Sequence, residues 1–250
     1  MNLSEREDVE VGRSASEARK IVIKPIDVDR YLNPPPNTPF PLEYAFYLLG
    51  EVRGKTVLDL GCGSGENIIP LVHRGAQVIG IDISPELISI AQQRLDQAGL
   101  SAIVRVGSAY ETQLADDSVD VVFCMSLIHH LDIAPAREEM RRILRPGGSI
   151  VVKEPVRFSH GYETLRSIFP SHEDVSEYEH PLTKAELRAL QEGFLVNGIR
   201  YFRLPLVPLL GRFVPVMQRS SWYASDAILT ALPWLERYAS SVALRLQKDS

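Results

Sequence analysis

The sequence predicts an α/β protein built on a doubly wound, mostly parallel sheet, and two observations carry that prediction. Five short runs rich in Val, Ile and Leu alternate with helical patterns, and each run is almost continuously apolar, as strands buried on both faces are. Right-handed crossovers follow from that order. At 250 residues, a prior of roughly 150 residues per domain allows one elaborated domain or two small ones. The 45% hydrophobic and 24% charged content excludes collagen-like, disulfide-scaffold and wholly disordered classes.

The elements follow in order. Residues 1–38 are charged and then proline-rich, with Pro34, Pro35 and Pro36 in a row, so they read as an arm, a loop or cover. Residues 39–250 read as one domain, with its core at 42–153 and a substrate-side elaboration at 154–250. Leu42–Leu49, followed by Gly50, predicts a short helix packed under the next element. The β-type runs are Thr56–Leu60, Gln77–Ile81, Ala102–Val106, Val119–Cys124 and Ser149–Lys153. Between them, Pro85–Ala98 predicts a helix with Ser84 as N-cap and Gly99 just past its end, and Pro135–Leu144 predicts another. Thr183 and Glu186 form a capping-box pattern for a helix from Lys184 to about Glu192. Leu195–Leu204 reads as an antiparallel strand, and Trp222–Leu246 as helical pieces interrupted by Pro233.

Charge and cysteine content narrow the partners. The 27 Lys and Arg against 32 Asp and Glu leave a formal charge of −5, so no global positive field favours nucleic acid. A small-molecule partner is the better expectation. The two cysteines, Cys62 and Cys124, lack CxxC spacing, which argues against a disulfide framework or a cysteine metal site and for a reducing, cytoplasmic setting. No carboxylate or HxxxH set suggests a metal. Met1–Lys20 lacks the apolar core of a secretory signal. Leu204–Met217 is broken by Pro205, Pro208, Gly211, Arg212 and Pro215, short of the ~20 apolar residues a spanning helix needs. With Trp222, Tyr223 and Trp234 it suggests ordinary core first, an apolar substrate wall second and a peripheral membrane contact last.

The chemistry is written at two strand ends. Asp59-Leu60-Gly61-Cys62-Gly63-Ser64-Gly65 runs a buried strand into alternating glycines, which let a nucleotide-type ligand approach main-chain N–H groups. Asp82 ends the second strand, where a carboxylate can accept both hydrogen bonds of a ribose diol; Ser84 is the better cap for the following helix.

These residues resemble the class I S-adenosylmethionine-dependent methyltransferases of the small-molecule type. DLGCGSG is similar to that family's first motif, GIDIS to its ribose-binding strand end, DDSVDVVF to its fourth strand and LRPGGSIVV to the approach to its fifth. The resemblance covers roughly Leu42–Lys153. It implies a Rossmann-like seven-stranded sheet with an antiparallel C-terminal strand, an N-terminal cover, a C-terminal helical elaboration and S-adenosyl-L-methionine as cofactor. It further implies that Asp59 approaches the methionine amino group, that Gly61, Cys62 and Gly63 lie along the methionine portion, that Asp82 holds the ribose and that Ile83 packs on the adenine. The family's adenine-binding acid is replaced by Ser108, leaving contacts to Ser108 and Ala109, with Tyr110 or Glu111 as polar substitutes. Met125 corresponds to a cofactor-lining position, and Tyr31 to a tyrosine that closes over the cofactor.

The fourth strand runs into Ser126-Leu127-Ile128-His129-His130, at the edge where reacting groups belong. Either histidine can take or orient an acceptor proton, and one is expected to be structural. Glu154, after the fifth strand, either orients the acceptor or pairs with Lys153 or Arg157. Phe40, Phe158, His160, Tyr162 and Arg166 are lid candidates. The expected reaction is methyl transfer to oxygen or nitrogen of a small, partly apolar acceptor. The alternatives are a non-methylating enzyme using the same sulfonium cofactor, such as a cyclase, a non-catalytic binding subunit, and a nicotinamide-dependent oxidoreductase, for which GxGxxG is missing.

Overall fold

Strand β1 (Thr56–Leu60) leads the sheet because its β-branched start and four successive buried positions suit a strand covered on both faces. A computed structural model describes residues 3–158, 180–204 and 218–249. The other strands are β2 (Gln77–Asp82), β3 (Ile103–Val106), β4 (Val119–Met125), β5 (Leu144–Pro155), β6 (Leu195–Phe202) and β7 (Ser241–Gln247). They form one sheet in the order β3-β2-β1-β4-β5-β7-β6, and only β7 among them runs against the rest.

That order departs from the 3-2-1-4-5-6 of dinucleotide-binding sheets by the insertion of β7 between β5 and β6. It also puts the switch point between β1 and β4. From β1 the chain builds outward through β2 and β3 and then returns to β1's other side, so the carboxyl ends of β1 and β4 diverge into a crevice.

Helices cover both faces. Those described are α1 (Leu3–Ala18), α2 (Asp29–Leu32), α3 (Pro41–Leu49), α4 (Ile68–His73), α5 (Pro85–Ala98), α6 (Ile133–Ile143), α7 (Lys184–Gln191) and α8 (Gln218–Ala231). The two-residue alternation of β1 splits the core: Leu58 and Leu60 pack with Met140 of α6 and Leu187 of α7, while Val57 packs with Phe46 of α3 and Leu71 of α4. Phe46 and Phe123 are fully buried with ring centroids 4.9 Å apart, so truncating either to Ala costs about 3–5 kcal/mol.

The caps act as their residue types dictate. Ser84 accepts from Leu87 N at 3.3 Å, Gly99 closes α5 at φ 64°, and Thr183 and Glu186 complete the capping box of α7.

Three elements differ from the sequence expectation. Leu3–Ala18 is a helix, with Arg13 and Glu17 paired at 3.3 Å one turn apart, because its polar side chains face a cavity rather than an apolar core. Ser241–Gln247, expected among helical pieces, is the reversed strand: pairing with β5 on one side and β6 on the other overrides its local preference. The strand Leu195–Phe202 is antiparallel to that neighbour. Strand β5 begins at Leu144, ahead of the expected Ser149, because Leu144 pairs with Val119 across an irregularity in the ladder.

Candidate active site

At the carboxyl end of β1 the chain must turn sharply, and Gly61 and Gly63 take φ of 71° and 52° to do so. A Cβ on Gly61 would meet Leu127 at 2.8 Å, whereas one on Gly63 would enter open space. The loop is stitched to β2: Gly61 N and Cys62 N donate to Ile81 O at 2.8 and 3.0 Å, and Gly63 N donates to Asp82 Oδ2 at 2.8 Å. Asp82 Oδ1 accepts from Ser84 N at 3.0 Å. Each of its oxygens retains acceptor capacity toward a ligand. Burial raises the Asp82 carboxyl, and the backbone donors pull it back down.

Asp59 lies beneath the loop, fully buried, and neither carboxylate oxygen has a hydrogen-bond partner. Burial first, and the Asp82 charge second, push its pKa up to about 8. A buried carboxylate without donors calls for a proton or a cation.

The loop and Asp82 border a first cavity of about 220 Å³, and Asp59 lies buried off its wall. Gly61, Gly63, Asp82, Ile83 and Ala109 line it, as do Ser126 and His130. Helix α1 closes it with Glu7, Glu10 and Arg13. Ser108 lies off the wall and donates to Glu7, while accepting from Tyr110 N at 3.0 Å, so it ties the cover to the loop after β3. Tyr31, Cys62 and Met125 also lie off the wall: the Tyr31 ring sits 4.9 Å from Phe46, and Cys62 and Met125 pack in the cluster around Phe46 and Phe123.

The end of β4 builds the other half. Ser126 takes φ 58°, a left-handed conformation rare outside glycine, and its N donates to Lys153 O at 2.8 Å. Glu154, fully buried, accepts from Leu127 N and Ile128 N at 2.8 Å through Oε1 and meets His129 Nδ1 at 2.6 Å through Oε2. Its hydrogen bonds therefore go to the β4 turn and His129. A carboxylate at Nδ1 selects the His129 tautomer whose Nε2 carries the lone pair.

The adjacent histidines part company. Their rings lie 4.0 Å apart, but His130 borders the first cavity, its Nδ1 3.3 Å from Glu10, whereas His129 borders a second cavity of about 460 Å³. That cavity is walled by Arg30, Phe40, Lys153, Arg203 and Trp222 as well, and Ser126 belongs to both. Of the lid candidates, Phe40 lies there, Phe158 stacks edge-on to Tyr201 at 5.7 Å, and His160, Tyr162 and Arg166 fall outside the described residues. So does most of the Leu204–Met217 run; Tyr223 and Trp234 are 57% and 59% exposed. No helix among the described residues is long and apolar enough to cross a membrane.

Sequence reasoning passed over Ser126 and Lys153. The signal was a lone lysine at the end of the buried run VVK, where a strand covered on both faces should carry no charge without a reason.

Comparison with known proteins identifies the family. A profile described as a methyltransferase domain matches residues 58–152. An uncharacterized methyltransferase of Mycobacterium tuberculosis is 37% identical over 111 residues, 44% of each chain, so the match spans less than half the length of that relative. A ubiquinone biosynthesis O-methyltransferase of Aeromonas salmonicida is 30% identical over 181 residues, 67% of this chain and 75% of that protein. The fold matches geranyl diphosphate C-methyltransferase of Streptomyces coelicolor at TM-score 0.59 and 18% identity, covering 82% of this chain and 79% of that one. The chain belongs to the class I S-adenosylmethionine-dependent methyltransferases. The residues present fit that donor: an unpartnered acid under the loop for its ammonium group, open space at Gly63, and acceptor capacity on Asp82.

Proposed function

We propose that this protein transfers a methyl group from S-adenosylmethionine to an oxygen or nitrogen of a small, partly apolar acceptor seated in the second cavity. The observation that supports this most directly is Ser126, a wall of both cavities, which puts the two compartments one residue apart at the switch point. Asp59 and the Gly61–Gly63 loop would take the methionine portion, Asp82 the ribose and Ile83 the adenine. When bound, the donor would supply a methyl group activated by a positively charged sulfur, the carbon–sulfur bond breaking to leave a neutral thioether as the bond to the acceptor atom forms. The chain's own work is alignment, exclusion of water and removal of one proton. Holding two reactants in line is worth an effective molarity of ~10⁵ M or more. His129, oriented by Glu154, takes the acceptor proton on Nε2 and later returns it to solvent.

The family relationship favours transfer over a non-methylating use of the donor. Screening acceptors with methyl-labelled donor tests the reading: S-adenosylhomocysteine formed together with a labelled acceptor supports it. Saturable donor binding with no product across the screen counts against it.

A further inference from the structure

We propose that the acceptor is an acidic hydroxyl on a planar ring, bound as its oxyanion against the Lys153 ammonium where the two cavities meet. The inference rests on the methyl-transfer reading above and names the acceptor class for that same site.

Charge is the first argument. Among the described residues the second cavity is lined by three basic side chains, Arg30, Lys153 and Arg203, and by no carboxylate. Arg30 is committed to Glu43, 2.7 Å away, and that carboxylate is held in turn by Thr38. Arg203 lies over the Trp222 ring at 5.1 Å and has no acidic partner among the described residues. The acid nearest Lys153 in sequence, Glu154, spends its oxygens on the β4 turn and His129. A site of this sign rejects cationic acceptors and concentrates anionic ones.

Position is the second. The Lys153 Nζ donates to Ser126 Oγ at 2.5 Å, which pins the ammonium beside the one residue that, among the described residues, lines both cavities. An ammonium carries three donors, so two remain for an oxygen at that boundary. Burial lowers the Lys153 pKa from its ordinary value, with Glu154 opposing, so an oxyanion alongside relieves a desolvation cost the protein already bears.

Shape is the third. Phe40 and Trp222, with centroids 5.8 Å apart, stand on the wall and give it aromatic surface against which a flat body can pack, and about 460 Å³ holds one or two rings.

The step balances. An acceptor that arrives as the neutral hydroxyl gives its proton to His129 on entering the site, the resulting oxyanion is held by Lys153, the oxygen's electron pair forms the carbon–oxygen bond as the carbon–sulfur bond breaks, and the carbon–sulfur pair stays on sulfur.

The probe is para-nitrophenol, whose ionisation is read by visible absorption, added to protein saturated with S-adenosylhomocysteine. Wild-type protein should bind the phenolate, raising the ionised fraction at mildly acidic pH, and should bind para-nitroaniline at least ~10-fold more weakly, since a charged hydrogen bond is at stake. Lys153→Met should weaken phenolate binding by about ten-fold or more, Lys153→Arg should retain most of it, and Arg203→Met should lose less. Unaltered melting-point gain from S-adenosylhomocysteine certifies each variant as folded. If that gain is missing in the wild type, the donor-binding reading falls and this inference with it. If it is present but the phenolate is not bound, is bound no better than the aniline, or is bound equally by Lys153→Met, the acceptor assignment alone is overturned.

Discussion

The two cavities differ in sign. The first gathers four acids, Asp82, Glu7, Glu10 and Glu17, against two arginines, Arg6 and Arg13, on its wall, an acidic surplus that suits a donor whose sulfur and amino group are both positive. The second gathers Arg30, Lys153 and Arg203 with no acid among its described lining residues. Ser126 divides them. Opposite charge on the two sides of a transfer line keeps each reactant out of the other's compartment, and it lowers the charge on both partners as the methyl crosses. Residues one apart in sequence can therefore border different compartments, as His129 and His130 do.

Four substitutions break or sharpen that contrast. Asp82→Ala removes two loop bonds and the expected ribose acceptor, and donor affinity by calorimetry should fall at least ~150-fold, from two charge-assisted bonds at about 1.5–3 kcal/mol each. Near-unchanged affinity would end the donor assignment. His129→Ala should cut turnover about 100-fold while leaving donor affinity alone; an effect on binding with intact turnover would move His129 out of the acceptor side.

Asp59→Asn tests the buried acid through pH. The folded pKa, about 8, lies above the ordinary 3.8, so the donor-free protein keeps a proton that the unfolded chain has shed. Stability should thus fall as pH rises from about 3.8 to about 8 and then level off, and Asp59→Asn should remove that fall from the melting profile. A cationic donor prefers the ionised acid, so donor affinity should improve up to about ten-fold per pH unit below pH 8, and the variant should be flat. A pH-independent wild type would show that the donor does not sense Asp59. His130→Ala should have the smallest effect: a few-fold change in donor affinity, since its contact with Glu10 at 3.3 Å is a partly exposed pair, and no change in acceptor KM. A larger change in acceptor KM would dissolve the division between the two histidines.

Legibility followed the range of the interactions. The turn Gly61–Gly63, the Ser84 cap and the Thr183 capping box depend on residues a few positions apart, and the structure places each where its local chemistry required. Strand β7 and helix α1 were misread because their partners are distant: β7 is a strand by virtue of β5 and β6, and α1 a helix whose polar face meets a polar cavity. Glu154 read as a residue of the reacting edge, and only packing showed its oxygens committed to Leu127, Ile128 and His129.

The amino-acid order by itself determined the parallel sheet, the glycine turn and the acid closing β2, because apolar runs, small residues and chain reversal act over a handful of positions. The second cavity was decided only by tertiary structure: it assembles Arg30, Phe40, Ser126, Lys153, Arg203 and Trp222 from segments far apart in the chain. No local pattern encodes their meeting, because the sheet's return across the switch point is what brings them to one edge.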